Sequence, residues 1–480
     1  MGRAFFPGTR TFISLPFVRS NIVKYYLKEV FAGLLLVMAI GGCAPFVQYR
    51  TQYELCENST TDFPSKCEAH AIQTFPAADG ASYLLGFIEF DDQGQLWDRK
   101  QMQAVLNTLS TEAAHKDLLM AIFVHGWKHS AAPNDKDIKT FRKVLAGLSE
   151  GELQVSRQAG RPARQVAGIY LGWRGGSVTI PVADELTFWE RKNTAQKVGQ
   201  RGVTEVLSRL ELIKRTKDSI AEGNSTTRLV VVGHSFGGSI VHSSLIQILE
   251  DRFVRTKERA DSQIDRDPDL QRDRRAGFQT DIEGFGNLVV LINPAFEALQ
   301  FAQLSDMSTE RGKYFESQLP LIAILTSEAD RATRNSFPIG RYLSTLFEND
   351  RDITRWNAVT RQQEIIHEGK ANVTAIGHFQ PYQTHKLYPS SKLHAGVRAQ
   401  LSSTESVNSA SKARTEWETD TPGSKISIAG LTLERGNTSA GRNPYLVVSV
   451  NRNIITNHNH INDERIIEFI KQLILISALP

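Results

Sequence analysis

Short, continuously apolar runs alternate with longer amphipathic stretches from residue 83 onward. Unbroken apolar runs of this length are typical of strands buried on both faces of a mainly parallel sheet. The stretches at 131–148 and 195–214 carry apolar residues at helical spacing. This alternation predicts a doubly wound α/β fold with helices on both faces of the sheet. The predicted strands span residues 83–90, 118–124, 165–171, 228–232, 287–292, 321–325 and 445–450.

Three segments interrupt this alternation within the predicted domain at 81–480. Residues 251–285 form an insertion crowded with charges of both signs, which predicts a solvated helix extension or a loop. Residues 331–389 contain several aromatic residues and are either a helical cap over a site or a peripheral subdomain. Residues 390–443 are rich in Ser, Thr, Gly and Asn, which predicts a flexible insertion.

The N-terminus carries a separate pattern. Lys24 and Lys28 precede an apolar run at 30–40, which is too short to cross a bilayer of about 30 Å as a helix. Positive charge followed by a short apolar run is the layout of a secretory signal. The run ends in two glycines and Cys43, and this ending resembles the lipobox of bacterial lipoproteins.

The lipobox resemblance implies that residues 1–42 are a signal peptide and that Cys43 becomes the lipidated first residue of the mature chain. Residues 43–80 are then expected to be a polar tether. Because Ala44 rather than Asp follows the cysteine, the resemblance implies a lipid anchor in the outer membrane of a bacterial cell envelope, facing the periplasm. A short uncleaved anchor and a buried hydrophobic hairpin are the alternatives.

Charge and cysteine content refine this picture. The whole chain has 56 Lys and Arg against 52 Asp and Glu, but residues 1–42 hold five of the basic and one of the acidic residues. The remainder is formally neutral, so no nucleic-acid partner is expected. Cys56 and Cys67 are a candidate disulfide in an oxidising compartment. No cysteine spacing indicates a metal site.

The sequence GHSFGG at 233–238 directly follows a predicted strand and opens a helical pattern. A sharp strand-to-helix turn exposes the side chain at its apex, and flanking glycines relieve backbone crowding. The apex residue is Ser235, which is either a nucleophile or a small residue that fills a tight turn. A serine hydroxyl is a weak nucleophile at neutral pH, so it needs a base and an acid that orients the base.

Candidates for both partners follow two later strands. Asp330 comes after the sixth predicted strand, with Glu328 as the less favoured substitute. In the alternative interpretation Asp330 is only the N-cap of the following helix. His458 comes after the last predicted strand, and His460 follows closely as the alternative base.

Acyl transfer also needs N–H donors for the oxyanion. Phe236, directly after the serine, is one candidate. Trp127 is the second, because it follows the second predicted strand and Gly126 lets the backbone turn there. His125 and His129 have the spacing of helical metal pairs, but the glycine and the strand end favour a loop without a metal.

Other polar residues near strand ends belong to no motif that assigns them a role. His234 is expected to pack beside the turn that carries the serine. Trp173 and Arg174 either line a pocket or pack against the core. His378 and His385 either face the cleft or lie on surface loops, and surface loops are the commoner place for such histidines.

Together these motifs resemble the α/β-hydrolase fold, close to its esterase and lipase-like members. The resemblance implies a triad of Ser235, Asp330 and His458, oxyanion donors at Trp127 and Phe236, and no metal or organic cofactor. It implies cleavage of a small-molecule or lipid ester through an acyl-enzyme. An acyltransferase or peptidase with the same triad and a non-catalytic envelope protein on the same scaffold are the alternatives.

Overall fold

A sheet to which the described residues contribute twelve strands is the centre of the structure, which is a computed structural model. Residues 1–44, including Cys43, lie outside the part of the chain that it describes. Within that part no helix is both long and apolar enough to span a membrane. The described residues are 45–59, 66–176, 187–222, 225–264, 281–338, 341, 348–390, 403–417, 421–461 and 463–478.

The strands follow the order β1-β2-β3-β5-β4-β6-β7-β8-β14-β11-β13-β12 across the sheet, and β9 and β10 form a separate hairpin. From β3 to β11 every neighbouring pair in this order is parallel. The strands are β1 Gln52–Glu57, β2 His70–Pro76, β3 Ser82–Glu89, β4 Leu118–Val124, β5 Gln165–Gly172, β6 Arg228–His234, β7 Leu288–Ile292, β8 Ile322–Ser327, β9 Asp352–Asn357, β10 Gln362–His367, β11 His385–Pro389, β12 Lys425–Ile428, β13 Leu431–Arg435 and β14 Tyr445–Val450.

Helices cover both faces of the sheet, and the two faces contribute to two separate hydrophobic clusters. Alternate residues of β4 show this division, because Met120 and Ile122 belong to one cluster and Ala121 and Phe123 to the other. The doubly wound α/β prediction is therefore confirmed. The helices are α1 Arg99–His115, α2 Lys136–Ala159, α3 Phe188–Val198, α4 Thr204–Ile220, α5 Phe236–Ile264, α6 Ala302–Arg311, α7 Glu368–Val373, α8 Ser403–Thr415 and α9 Glu464–Ala478.

Residues 43–80 differ from the expected tether, because they contribute β1 and β2 to the sheet. The pattern is hard to recognise because these strands are short and partly polar, and β1 is an exposed edge strand. Phe75 nevertheless packs its ring against Tyr83 of β3, at a centroid distance of 5.3 Å. A disulfide joins Cys56 of β1 to Cys67, which precedes β2.

The later interruptions also contain more ordered structure than their composition suggests. Within 390–443, β12 and β13 form a hairpin on the sheet edge, where Leu431 and Leu433 are buried between outward-facing polar residues. Within 331–389, the β9–β10 hairpin and β11 show that the segment is not a purely helical cap. Within 251–285, α5 extends to Ile264, and residues 265–280 lie outside the described part of the chain.

Candidate active site

The turn between β6 and α5 holds Ser235 in a left-handed conformation, with φ of 55°. Its backbone N–H donates to the carbonyl of Ile292 at the end of β7, at 3.0 Å. Glycine is required two residues before and two residues after Ser235. A Cβ at Gly237 would lie 2.0 Å from the carbonyl oxygen of Val124, and one at Gly233 would lie 2.7 Å from that of Gly237. The close approach of three backbone segments therefore fixes the apex position of the serine.

A continuous chain of hydrogen bonds starts at this serine. The hydroxyl oxygen of Ser235 lies 2.7 Å from Nε2 of His458. Nδ1 of the same imidazole lies 2.9 Å from Oδ2 of Asp330. These distances are the ones required for proton transfer from a hydroxyl to an imidazole that is oriented by a carboxylate.

Asp330 is completely buried just after β8. Like Ser235, it lies at the carboxyl ends of the parallel strands. Its Oδ1 accepts the backbone N–H groups of Ala332 at 3.0 Å and Thr333 at 3.2 Å. Its Oδ2 accepts the Thr333 hydroxyl as well as the imidazole of His458. Burial raises the pKa of the Asp330 carboxyl, but the donors of His458 and Thr333 outweigh it and place that pKa below the ordinary value.

The backbone of His458 is anchored beside the turn at Ser235. Its carbonyl oxygen accepts the side-chain amide of Asn293 at 3.0 Å, and Nε2 of His234 lies 3.1 Å from the same oxygen. His460, two residues later, is exposed and its Nδ1 lies 3.1 Å from the hydroxyl of Thr456. Of the two histidines, only His458 contacts the serine and Asp330 in the described structure.

The loop after β4 lies directly against the nucleophile turn. A Cβ at Gly126 would come within 2.9 Å of Cβ of Ser235, so the glycine allows this contact. Trp127 is the next residue, and its backbone therefore starts beside the serine. Phe236 is the first residue of α5, where a helix N–H has no acceptor in the preceding turn. Both expected oxyanion donors thus belong to segments that meet at Ser235.

Aromatic side chains surround these two donors. The ring of Phe188, at the start of α3, packs on Trp127 at 5.4 Å and on Phe236 at 4.8 Å between centroids. Trp189 extends the group and packs on Phe337 at 5.9 Å. The surroundings of the two donors are therefore apolar on this side.

His125, His129 and Trp173 form contacts outside the triad. Burial lowers the pKa of His125 to about 4, and its Nε2 accepts the backbone N–H of Trp173. Trp173 is buried and stacks on this imidazole, and together with Arg174 it also lines a cavity of about 330 Å³. His129 lies between Asp135 and Asp137, at 2.9 Å and 3.6 Å. Ligand-type atoms of these three side chains lie within 4.8 Å of one another, and Asp135 is also the N-cap of α2.

Two side chains near the triad carry no sequence signal for their position. Asn293 follows β7, and its amide joins the carbonyl of His458 to the backbone N–H of Ser327. Thr333 lies in a short π-helical turn at 332–336 that follows Asp330. Neither residue belongs to a motif, so only the folded chain reveals that they support Asp330 and His458.

The parallel sheet, the strand–turn–helix arrangement at Ser235 and the loops that converge on it define an α/β-hydrolase-type fold. No protein-family model and no curated protein matches the chain. Among solved structures, phospholipase PlaB from Legionella pneumophila, in complex with thio-NAD, is similar at 13% identity and a TM-score of 0.21. That match covers 58% of this chain and 47% of the phospholipase, which is less than half of its length. Similarity at this level indicates nothing about activity.

Proposed function

We propose that the protein is a serine hydrolase that cleaves a carboxylic ester through an acyl-enzyme on Ser235. The observation that carries the proposal is the unbroken hydrogen-bond chain from Ser235 through His458 to the buried Asp330. The aromatic group around Trp127 and Phe236 favours an apolar acyl group, as in a lipid ester.

In the proposed reaction, Nε2 of His458 takes the hydroxyl proton while Oγ of Ser235 attacks the carbonyl carbon of the ester. The carbonyl electron pair moves to its oxygen, which accepts hydrogen bonds from the N–H groups of Trp127 and Phe236. Collapse of this intermediate breaks the ester C–O bond, and His458 returns the proton to the leaving alcohol. A water molecule then attacks the acyl carbon while His458 takes one of its protons. The bond from this carbon to Oγ of Ser235 breaks, His458 returns the proton to Oγ, and the carboxylic acid leaves. Asp330 holds the imidazole tautomer and stabilises the imidazolium throughout.

A fluorophosphonate probe tests this proposal, because it reacts with activated serines. We expect the purified protein to be labelled, and Ser235→Ala to lose labelling and ester turnover. Ser239→Ala is the matched control, since Ser239 is buried one turn further along α5 and lies outside the hydrogen-bond chain. Unlabelled wild type, or equal labelling of Ser235→Ala, would refute the proposal. Labelling without hydrolysis of p-nitrophenyl esters would indicate an acyltransferase or peptidase with the same triad.

The membrane anchor is also a proposal. It rests on the sequence, where a short apolar run ends in two glycines and Cys43. Growth of a bacterial expression host with an alkyne fatty acid should label the full-length protein. Cys43→Ser should lose the label, whereas Cys67→Ser should keep it; label on Cys43→Ser would contradict the anchor.

A further inference from the structure

We propose that Thr333 and His378 extend the hydrogen-bond chain of the triad, and that His378 positions the catalytic carboxylate through Thr333. Both are positioning residues in this proposal, since neither contacts Ser235 or the imidazole of His458. The inference rests on the proposed function, because it assigns roles around the same triad. It adds two residues that the sequence motifs do not include.

The contacts form a single path. The Thr333 hydroxyl donates to Oδ2 of Asp330, the same oxygen that accepts Nδ1 of His458. Nε2 of His378 lies 3.0 Å from the hydroxyl oxygen of Thr333. Five residues from four separate parts of the chain are therefore connected from Ser235 to His378.

The number of hydrogens that each group carries decides which group donates in each hydrogen bond of this path. Thr333 has one hydroxyl proton, and the short contact with the Asp330 carboxylate requires that proton to point at Oδ2. The Thr333 oxygen must then accept from His378, so Nε2 of this imidazole carries a hydrogen. A hydroxyl that accepts one hydrogen bond becomes a better donor in the next, so His378 strengthens the bond from Thr333 to Asp330.

The surroundings of His378 hold it in this place. It ends a short 3₁₀ turn, Ile376–His378, whose first N–H donates to the carbonyl of Phe296 at 3.1 Å. A Cβ at Gly377 would lie 1.8 Å from the hydroxyl oxygen of Thr326, so only glycine lets this turn pack so closely on β8. The side-chain amide of Gln383 donates to the carbonyl of Gly377 at 2.7 Å. The donor therefore comes from a fixed backbone rather than a free loop.

The protonation of His378 agrees with this role. Burial lowers the pKa of His378 despite the nearby charge of Asp330, so the imidazole is neutral at pH 7 with one N–H to donate. A neutral donor supports the Asp330 carboxylate without adding a positive charge that would compete with the His458 imidazolium. His378 is thus suited to orient the carboxylate rather than to transfer protons.

The test is a double-mutant cycle on the full chain. Thr333→Val and His378→Leu each remove one donor while nearly keeping side-chain volume, and we expect each to lower kcat by about fivefold with KM unchanged. If His378 acts through Thr333, the double variant should be no slower than Thr333→Val alone. Thr333→Ser, which keeps the hydroxyl, and His378→Gln, which keeps an N–H donor, should restore most of the activity.

His385→Leu is the matched control, because His385 is buried and its Nδ1 lies 2.8 Å from the hydroxyl of Thr384. It reproduces the same kind of His–Thr contact outside the triad and should leave kcat unchanged at a temperature where it is folded. Folded His378→Leu with wild-type kcat, or a double variant whose losses multiply, would overturn the proposal. A change in KM alone would also overturn it, since that result indicates substrate contact.

Two further measurements keep the outcome decisive. If His378→Leu does not fold, wild-type kcat in Thr333→Val overturns the proposal, whereas a loss in Thr333→Val that is rescued in Thr333→Ser supports it. Fluorophosphonate labelling of the wild type is measured in parallel. If the wild type is labelled but the Thr333 and His378 variants keep the wild-type kcat, only this inference is rejected. If the wild type is not labelled, the proposed hydrolase itself is rejected.

Discussion

Nε2 of His458 lies 2.7 Å from the hydroxyl oxygen of Ser235, although 223 residues separate them in the sequence. The serine follows β6 and the histidine follows β14, with β7 and β8 between these strands in the sheet. Because all four strands are parallel, their carboxyl ends meet at one edge, and the loops that follow them converge there. The contact is thus a product of strand order.

Replacement of His458 and replacement of His460 should affect kcat very differently. His458→Ala should lower kcat at least about a thousandfold, because the hydroxyl of Ser235 then has no base. His460→Ala should change kcat by less than about twofold, since this exposed imidazole contacts Thr456 and not the triad. Steady-state hydrolysis of a p-nitrophenyl ester measures both. A larger loss in His460→Ala would reassign the base.

Gly126→Ala should damage catalysis more than folding. The added Cβ would lie 2.9 Å from Cβ of Ser235 and 3.0 Å from the carbonyl of His234, so the loop must move and carry Trp127 away. We expect kcat to fall at least about tenfold, because a displaced oxyanion donor loses its hydrogen bond in the transition state. Kinetics and thermal unfolding on the same preparation separate the two effects.

Gly151→Ala is the control for this prediction. It lies within α2, and nothing is within 4 Å of its added Cβ. It should leave kcat unchanged and raise the free energy of unfolding by about 0.5–1 kcal/mol, since alanine favours the helix. Unchanged kcat in Gly126→Ala would show that the loop does not deliver a donor.

Asp137 should make stability depend on pH. It is buried in the first turn of α2, and burial raises the pKa of its carboxyl from 3.8 to about 6. The folded state therefore binds this proton more tightly than the unfolded chain, so the free energy of unfolding falls as pH rises from about 4 to about 6. Asp137→Asn should remove this slope and raise the free energy of unfolding at pH 7 by about 1–3 kcal/mol.

Urea unfolding at several pH values between 4 and 8 measures this effect. Asp352→Asn is the control, because Asp352 is exposed and contacts the exposed His367 on the β9–β10 hairpin. It should leave the pH dependence as in the wild type. A slope that persists in Asp137→Asn would show that the carboxyl of Asp137 is not responsible for it.

Removal of the disulfide should destabilise the edge of the sheet. Cys56 and Cys67 are 11 residues apart, and closing a loop of that length in the unfolded chain is worth about 3 kcal/mol. The double variant Cys56→Ser/Cys67→Ser should therefore unfold at lower denaturant concentration than the oxidised protein, with kcat at 25 °C unchanged. Wild type treated with a reducing agent should match the double variant. Equal midpoints for oxidised and reduced protein would contradict the prediction.

The central strands were predictable because they are buried on both faces. The predicted strand at 118–124 coincides with β4 Leu118–Val124, and all seven of its residues are buried. Such burial leaves an unbroken apolar run in the sequence. The two strands at each edge of the sheet, β1 with β2 and β12 with β13, mix polar with apolar residues, so their sequence pattern predicts a tether and a flexible insertion instead of strands.

By itself the sequence determined the order of elements and the candidates that follow particular strands, namely Ser235, Asp330 and His458. Only the tertiary structure decided which atoms touch. His458 and His460 share one loop, and the bonds from Asn293 and His234 to the His458 carbonyl orient that residue toward the serine. The physical reason is that local patterns encode which face of a strand or helix is buried, whereas contacts between loops depend on packing among segments far apart in the chain.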